Sequence, residues 1–246
     1  MTSVRRHPHS INTLHRTLAP ALLALAAAGS IHAAAPTQDP APRRPAPSLA
    51  RPATPVKTPD AAGFLQRWLV LEPIRVSGQL TDSAVQALIK TEYFPGQLTA
   101  IPRDGDKVTV GDAALAWHAL DTTGYNVNLY HFAYALNKPT SNVLFWAVTV
   151  VNAPREMAGV RLAIGSNAAS VWWVNGQEVI GIYNDRQSVI DDGVSKRITL
   201  NKGANVIRAA VINGGGATDF CARFLDGNDR PIKDLTISLN ARSISR

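Results

Sequence analysis

The stretch SVWWVNGQEVIGIY, residues 170–183, constrains the fold more than any other part of the chain. Two apolar runs flank Asn175-Gly176. An Asn-Gly pair in that setting predicts a two-residue β-hairpin, because the turn needs left-handed φ at both central positions. Side chains alternate along a strand, so Trp172 and Val174 face one way while Val171 and Trp173 face the other. One tryptophan enters a core and its neighbour takes the opposite face. Trp173 is assigned outward, where its ring would offer a ligand a stacking platform, with Tyr183, Asp185 and Arg186 as polar and aromatic neighbours on the next strand and loop.

The same period of two runs through most of the chain from residue 60. RWLVLEPI (67–74) predicts a strand with Pro73 at its end. TDSAVQALIKTEYF (81–94) is the one helical pattern, capped by Thr81 or Asp82 and carrying Val85, Leu88 and Ile89 as an apolar stripe. Strands are expected over 107–110, 114–120, 129–136, 142–152 and 159–166. After the Trp172 hairpin come a second hairpin at Lys202-Gly203 and a closing strand pair at Asp226-Gly227. About ten strands, one short helix and no βαβ alternation exclude a doubly wound sheet. They predict an all-β, antiparallel β-sandwich of the jelly-roll kind.

The ends of the chain are different material. Residues 1–33 carry Arg5, Arg6 and Arg16, no acid, the apolar run Leu18–Ala28 and small residues near Ala33. This is the layout of a secretory signal peptide, too short in its apolar part to span a bilayer. It implies an exported protein, periplasmic or secreted, with no membrane span after cleavage. Residues 34–59 hold 8 of the 16 prolines and predict an extended, disordered tether. The folded domain is then 60–246.

The formal charge of +7 belongs to those ends, since residues 60–246 keep 18 basic and 17 acidic side chains. Nothing in the domain asks for a polyanion, and nucleic acid is rejected as a partner. The single cysteine, Cys221, excludes an intrachain disulfide and reads as a small buried hydrophobe.

W-V-N-G-x-x-V (173–179), ITLNKGANVIRAAVIN (198–213), FCARFLDGNDRPIKDL (220–235) and the opening FLQRWLVLEPI (64–74) resemble the galactose-binding-like jelly-roll modules of secreted carbohydrate-active proteins. The whole layout is also similar to chains grouped with acetylxylan esterases. The resemblance implies a sugar ligand or an accessory role in polysaccharide breakdown. Two positions depart from it. Gly165-Ser166-Asn167-Ala168 stands where the modules often have G-S-D-D, and Glu72 stands where they often have Gly.

Catalysis has thin support in the residues. The domain has two histidines, His118 and His131, neither following a G-x-S-x-G. A convergent triad would use one of them as base and Ser166 as nucleophile. Asp185, Asp191 and Asp192 in DRQSVIDDG (185–193) are the candidate ligands of a structural Ca²⁺. No other cofactor is implied. Three function classes follow: a module binding a poly- or oligosaccharide, a carbohydrate esterase of the acetylxylan type, and a structural sandwich that meets a protein partner through its tether.

Overall fold

Alternation and turn signals become fifteen strands and two helices among the described residues, 49–184 and 186–240 of this computed structural model. The first half holds β1 (Leu49–Ala50), β2 (Arg67–Leu71), β3 (Ile74–Arg75), α1 (Asp82–Lys90), β4 (Lys107–Val110), β5 (Ala113–Thr122), β6 (Val127–Asn128) and α2 (Leu129–Ala135). The second holds β7 (Val143–Ala153), β8 (Met157–Asn167), β9 (Ala169–Val174), β10 (Gln177–Ile182), β11 (Gly193–Val194), β12 (Ile198–Leu200), β13 (Gly203–Asn213), β14 (Asp219–Leu225) and β15 (Thr236–Ser238). Antiparallel pairing builds one sheet in the order β1-β5-β2-β7-β13-β9-β10, with β3 and β15 also on β7 and β4 on β5. The other runs β11-β8-β14-β6, with β12 on β8. The protein is an all-β antiparallel sandwich.

The large sheet is covered on both faces, which explains why β7 is almost wholly buried and apolar through Val148, before Thr149. Between the sheets, Trp68, Trp172 and Phe220 meet edge-on at centroid distances of 5.0–6.1 Å. On the outer face, Trp146, Trp173, Trp117 and Phe94 form a second core with Val85 and Ile89 of α1. Thr81 caps that helix, its side-chain oxygen accepting from the Ala84 N–H at 3.3 Å.

The Asn175-Gly176 turn has the expected left-handed backbone, with φ of 53° and 83°. Other expectations are corrected. LYHFAYAL is helix α2, not strand, because Asn128 caps it through the His131 N–H (2.7 Å) and Leu129, Phe132 and Ala133 form a helical stripe against the core. The turn at Lys202-Gly203 is not a hairpin. β12 pairs with β8 of the small sheet and β13 with the large one, so the chain changes sheets there. The Asn205 side chain fixes that corner, accepting from the Asn201 N–H (2.9 Å) and donating to the Asn201 and Gly203 carbonyls (2.8 and 3.0 Å).

Part of the stretch read as a tether also belongs to the domain. Leu49 and Ala50 pair with Thr122 and Asp121, and Lys57 bridges to Ile237. Residues 1–48, and with them the stretch read as a signal peptide and the start of the stretch read as a tether, lie outside the described residues, as does Asp185.

Candidate functional site

Trp173 is not the exposed partner of the pair. It faces away from Trp172, as parity requires, but is only 5% exposed and stacks on Trp146 at 5.3 Å and 23°. The outer face that should have displayed it is sealed by α1 and the chain that follows. No ligand can reach its ring without displacing that cover.

The aromatic side chain left half-exposed in this region is Tyr183, just after β10. Its ring lies back over Gly181, where an added Cβ would come within 2.7 Å of the phenolic oxygen. The absent side chain at 181 is thus what leaves room for the hydroxyl end of the ring. Tyr183 Oη donates to Glu178 Oε1 at 3.4 Å, and Glu178 pairs with Lys90 of α1 at 3.4 Å. Glu178, followed by Tyr183, holds the Lys90 ammonium above its ordinary pKa. The three side chains form a rim with one aromatic face, one carboxylate and one ammonium.

Tyr183, alone of these three, lines a cleft of about 180 Å³, together with Leu80, Ala168, Ala169, Ile212, Asn213 and Gly214. The Asn213 side chain organises the glycine-rich wall. Its Nδ2 donates to Thr218 Oγ1 and to the Gly216 and Ala217 carbonyls, while its Oδ1 accepts from the Gly215 N–H. The floor turns sharply at Ala168, whose φ of 94° is strained for a residue with a Cβ. Ser166 Oγ donates to the Ala168 carbonyl (2.9 Å), and the Ala168 N–H donates to the Arg186 carbonyl (3.2 Å). With its amide nitrogen turned inward, Asn167 donates to the Ala217 and Arg186 carbonyls at 3.0 and 3.2 Å. An aspartate in its place would set a carboxylate against two carbonyl oxygens. The neutral residue at this departure therefore stitches the corner with donors.

The described acids of the acidic loop are held by arginines. Asp191 receives a two-pronged contact from Arg223, and Asp192 pairs with Arg186. Those arginines engage the two candidate Ca²⁺ carboxylates that are described, and no cluster of three His, Cys, Asp or Glu occurs among the described residues. Arg186, expected as a ligand neighbour, is held by Asp192.

The proposed triad members are not brought together. Ser166 is 1% exposed on β8 of the small sheet, with its hydroxyl already donated to Ala168. His131 sits in the first turn of α2, its ring against Tyr130 at 6.0 Å. His118 is on β5, with Nε2 lying 3.3 Å from Glu72 Oε1. Lys138 reaches the other Glu72 oxygen at 2.9 Å. Burial pushes the Glu72 carboxyl up, but Lys138, the Ala116 N–H and His118 together outweigh it and hold the group below its ordinary value. His118 also lines a pocket of about 160 Å³ with Leu49, Asp104 and Phe132, and among the described residues no serine, threonine or cysteine lines it. The sequence reading missed this cluster, although Glu72 was visible as a departure from glycine. Cys221 is buried as expected, its thiol pushed up to about 11 by desolvation.

No protein-family model matches the chain, and no curated protein matches it. The galactose-binding-like resemblance thus rests on its motifs. Among solved structures the chain is similar to the PA14 domain of the antifreeze protein MpAFP, at 16% identity and a TM-score of 0.43 over 77% of this chain and 98% of that one. It is also similar to a PA14 sugar-binding domain from an RTX adhesin (12% identity, TM-score 0.39, 69% and 95% covered). An epithelial adhesin A domain from Candida glabrata, solved with β-lactose, gives 12% identity and a TM-score of 0.34 over 82% and 96%. No helix among the described residues is long and apolar enough to cross a membrane.

Proposed function

We propose that this protein is an exported, non-catalytic module that binds a neutral poly- or oligosaccharide in the Tyr183 cleft. One observation carries the reading. Tyr183 is a half-exposed ring that lines the cleft with its hydroxyl end over Gly181, and its hydroxyl meets the Glu178 carboxylate, which in turn pairs with the Lys90 ammonium. A sugar needs this combination: an aromatic face for its C–H surface and charged acceptors and donors for its hydroxyls. Export rests on the signal-peptide pattern of residues 1–33. Among the described residues no hydroxyl nucleophile lines the pocket at His118, and Ser166 is buried elsewhere, so the described residues lend esterase chemistry no support. A glycan array read in parallel with acetate release from acetylated xylan tests the proposal. The expected result is glycan binding with no acetate released. Acetate release that disappears in His118→Ala would replace the module with the esterase.

A further inference from the structure

Arg75 ends the short strand β3, is exposed, and enters none of the ion pairs found among the described residues. Its backbone is fixed by pairing with Val143 of β7. Lys138 lines the same cleft as Arg75. It follows the end of α2, where its N–H donates to the Ala133 carbonyl at 2.9 Å after a left-handed turn at Asn137 (φ 55°). The Lys138 ammonium meets Glu72 Oε2 at 2.9 Å, and its side chain is 36% exposed. An ammonium has three donors, so it can serve a second acceptor. The Glu72 charge is thus matched within the protein, and the Arg75 charge is not.

The cleft these two cations share has a volume of about 260 Å³. Three parts of the fold build it: β3, the tip of the β4–β5 hairpin and the segment after α2. Ile74, Val110 and Leu115 supply apolar surface, and Pro73 and Pro139 add two rigid rings. Ile74 and Leu115 are buried members of the outer core, so this surface is anchored from beneath. No acidic side chain lines the cleft among the described residues. An occupant that matches it carries negative charge on an apolar body. A single uncompensated cation calls for a monoanion rather than a phosphate dianion. A guanidinium fork fits a carboxylate in its plane and also lies well on aromatic faces.

We propose that this cleft binds a small aromatic monocarboxylate, of the benzoate or cinnamate class. The carboxylate is received by Arg75 and by the spare donors of Lys138, and the ring rests on the proline and aliphatic surface. The site shares no lining residue with the Tyr183 cleft, and the proposal does not depend on the saccharide reading.

Isothermal titration of the full chain with cinnamate, cinnamamide, octanoate and inorganic phosphate tests this. Wild type should bind cinnamate at a single site, about tenfold or more tighter than any of the other three. Arg75→Gln should weaken cinnamate binding about tenfold and leave the melting temperature unchanged, because the side chain is exposed. Ala113→Phe, at an exposed position lining the cleft, should abolish binding by filling the space, and it decides the matter if the first variant does not fold. Wild type that does not bind cinnamate overturns the proposal. So does equal binding of cinnamamide, which removes the role of charge, of octanoate, which removes the role of the ring, or of phosphate, which leaves an anion site only. Cinnamate affinity that survives in either folded variant overturns it as well. Tyr183→Ala should bind cinnamate as wild type does, so failure here and failure of the proposed function are distinguishable.

Discussion

At the scale of single residues, Asn167 ties the corner beside the Tyr183 cleft, and Glu72 anchors a separate polar cluster with His118 and Lys138. Asn167 points a donor at two carbonyls, at 3.0 and 3.2 Å. Asn167→Asp removes those donors and adds a charge facing oxygen. It should cost about 1–3 kcal/mol, measured by chemical denaturation, as expected for a polar group left without its partners. An unchanged midpoint would mean the amide is not what ties the corner. Glu72 makes a pH-dependent contribution. Its folded-state pKa lies below the ordinary 4.5, so its stabilisation is complete above that value and is lost as pH falls through the folded pKa. Glu72→Gln should therefore lower the melting temperature at neutral pH, by about 1–3 kcal/mol of stability, and flatten its decline in acid. Parallel acid-melting curves for the two proteins would contradict this.

At the scale of elements, the tryptophan hairpin shows both the reach and the limit of a sequence pattern. Parity correctly sent Trp172 and Trp173 to opposite faces, and the Asn-Gly turn was legible because its φ requirement is local. The cover over Trp173 was not legible. Val85 and Ile89 declare that α1 has a buried face, but no local signal says which strand that face meets. α2 was lost for a related reason. Its apolar positions fit a period of two nearly as well as a helix, and the deciding signal was the Asn128 cap. The crossing of the chain at Lys202-Gly203 depends on the buried Asn205 hub, whereas the sequence shows only an ordinary turn pair. Since both tryptophans are core, Trp172→Ala and Trp173→Ala should each cost about 3–5 kcal/mol. A nearly neutral Trp173→Ala would restore the exposed-platform reading.

At the scale of the whole molecule, two packed sheets and an outer layer over the large one place binding features along the edges of that cover. The class of fold was readable from alternation, turn spacing and the absence of βαβ units. The candidate site was readable only as Tyr183, because Glu178 and Lys90 meet through the packing of α1 against the hairpin. The central claim is that Tyr183 is the platform of a saccharide-binding cleft. Its most direct test is the affinity of Tyr183→Ala for a glycan that wild type binds, measured beside its melting temperature. The account predicts an affinity loss of about tenfold or more, with stability changed by less than about 1 kcal/mol. Unchanged affinity in the folded variant would contradict it.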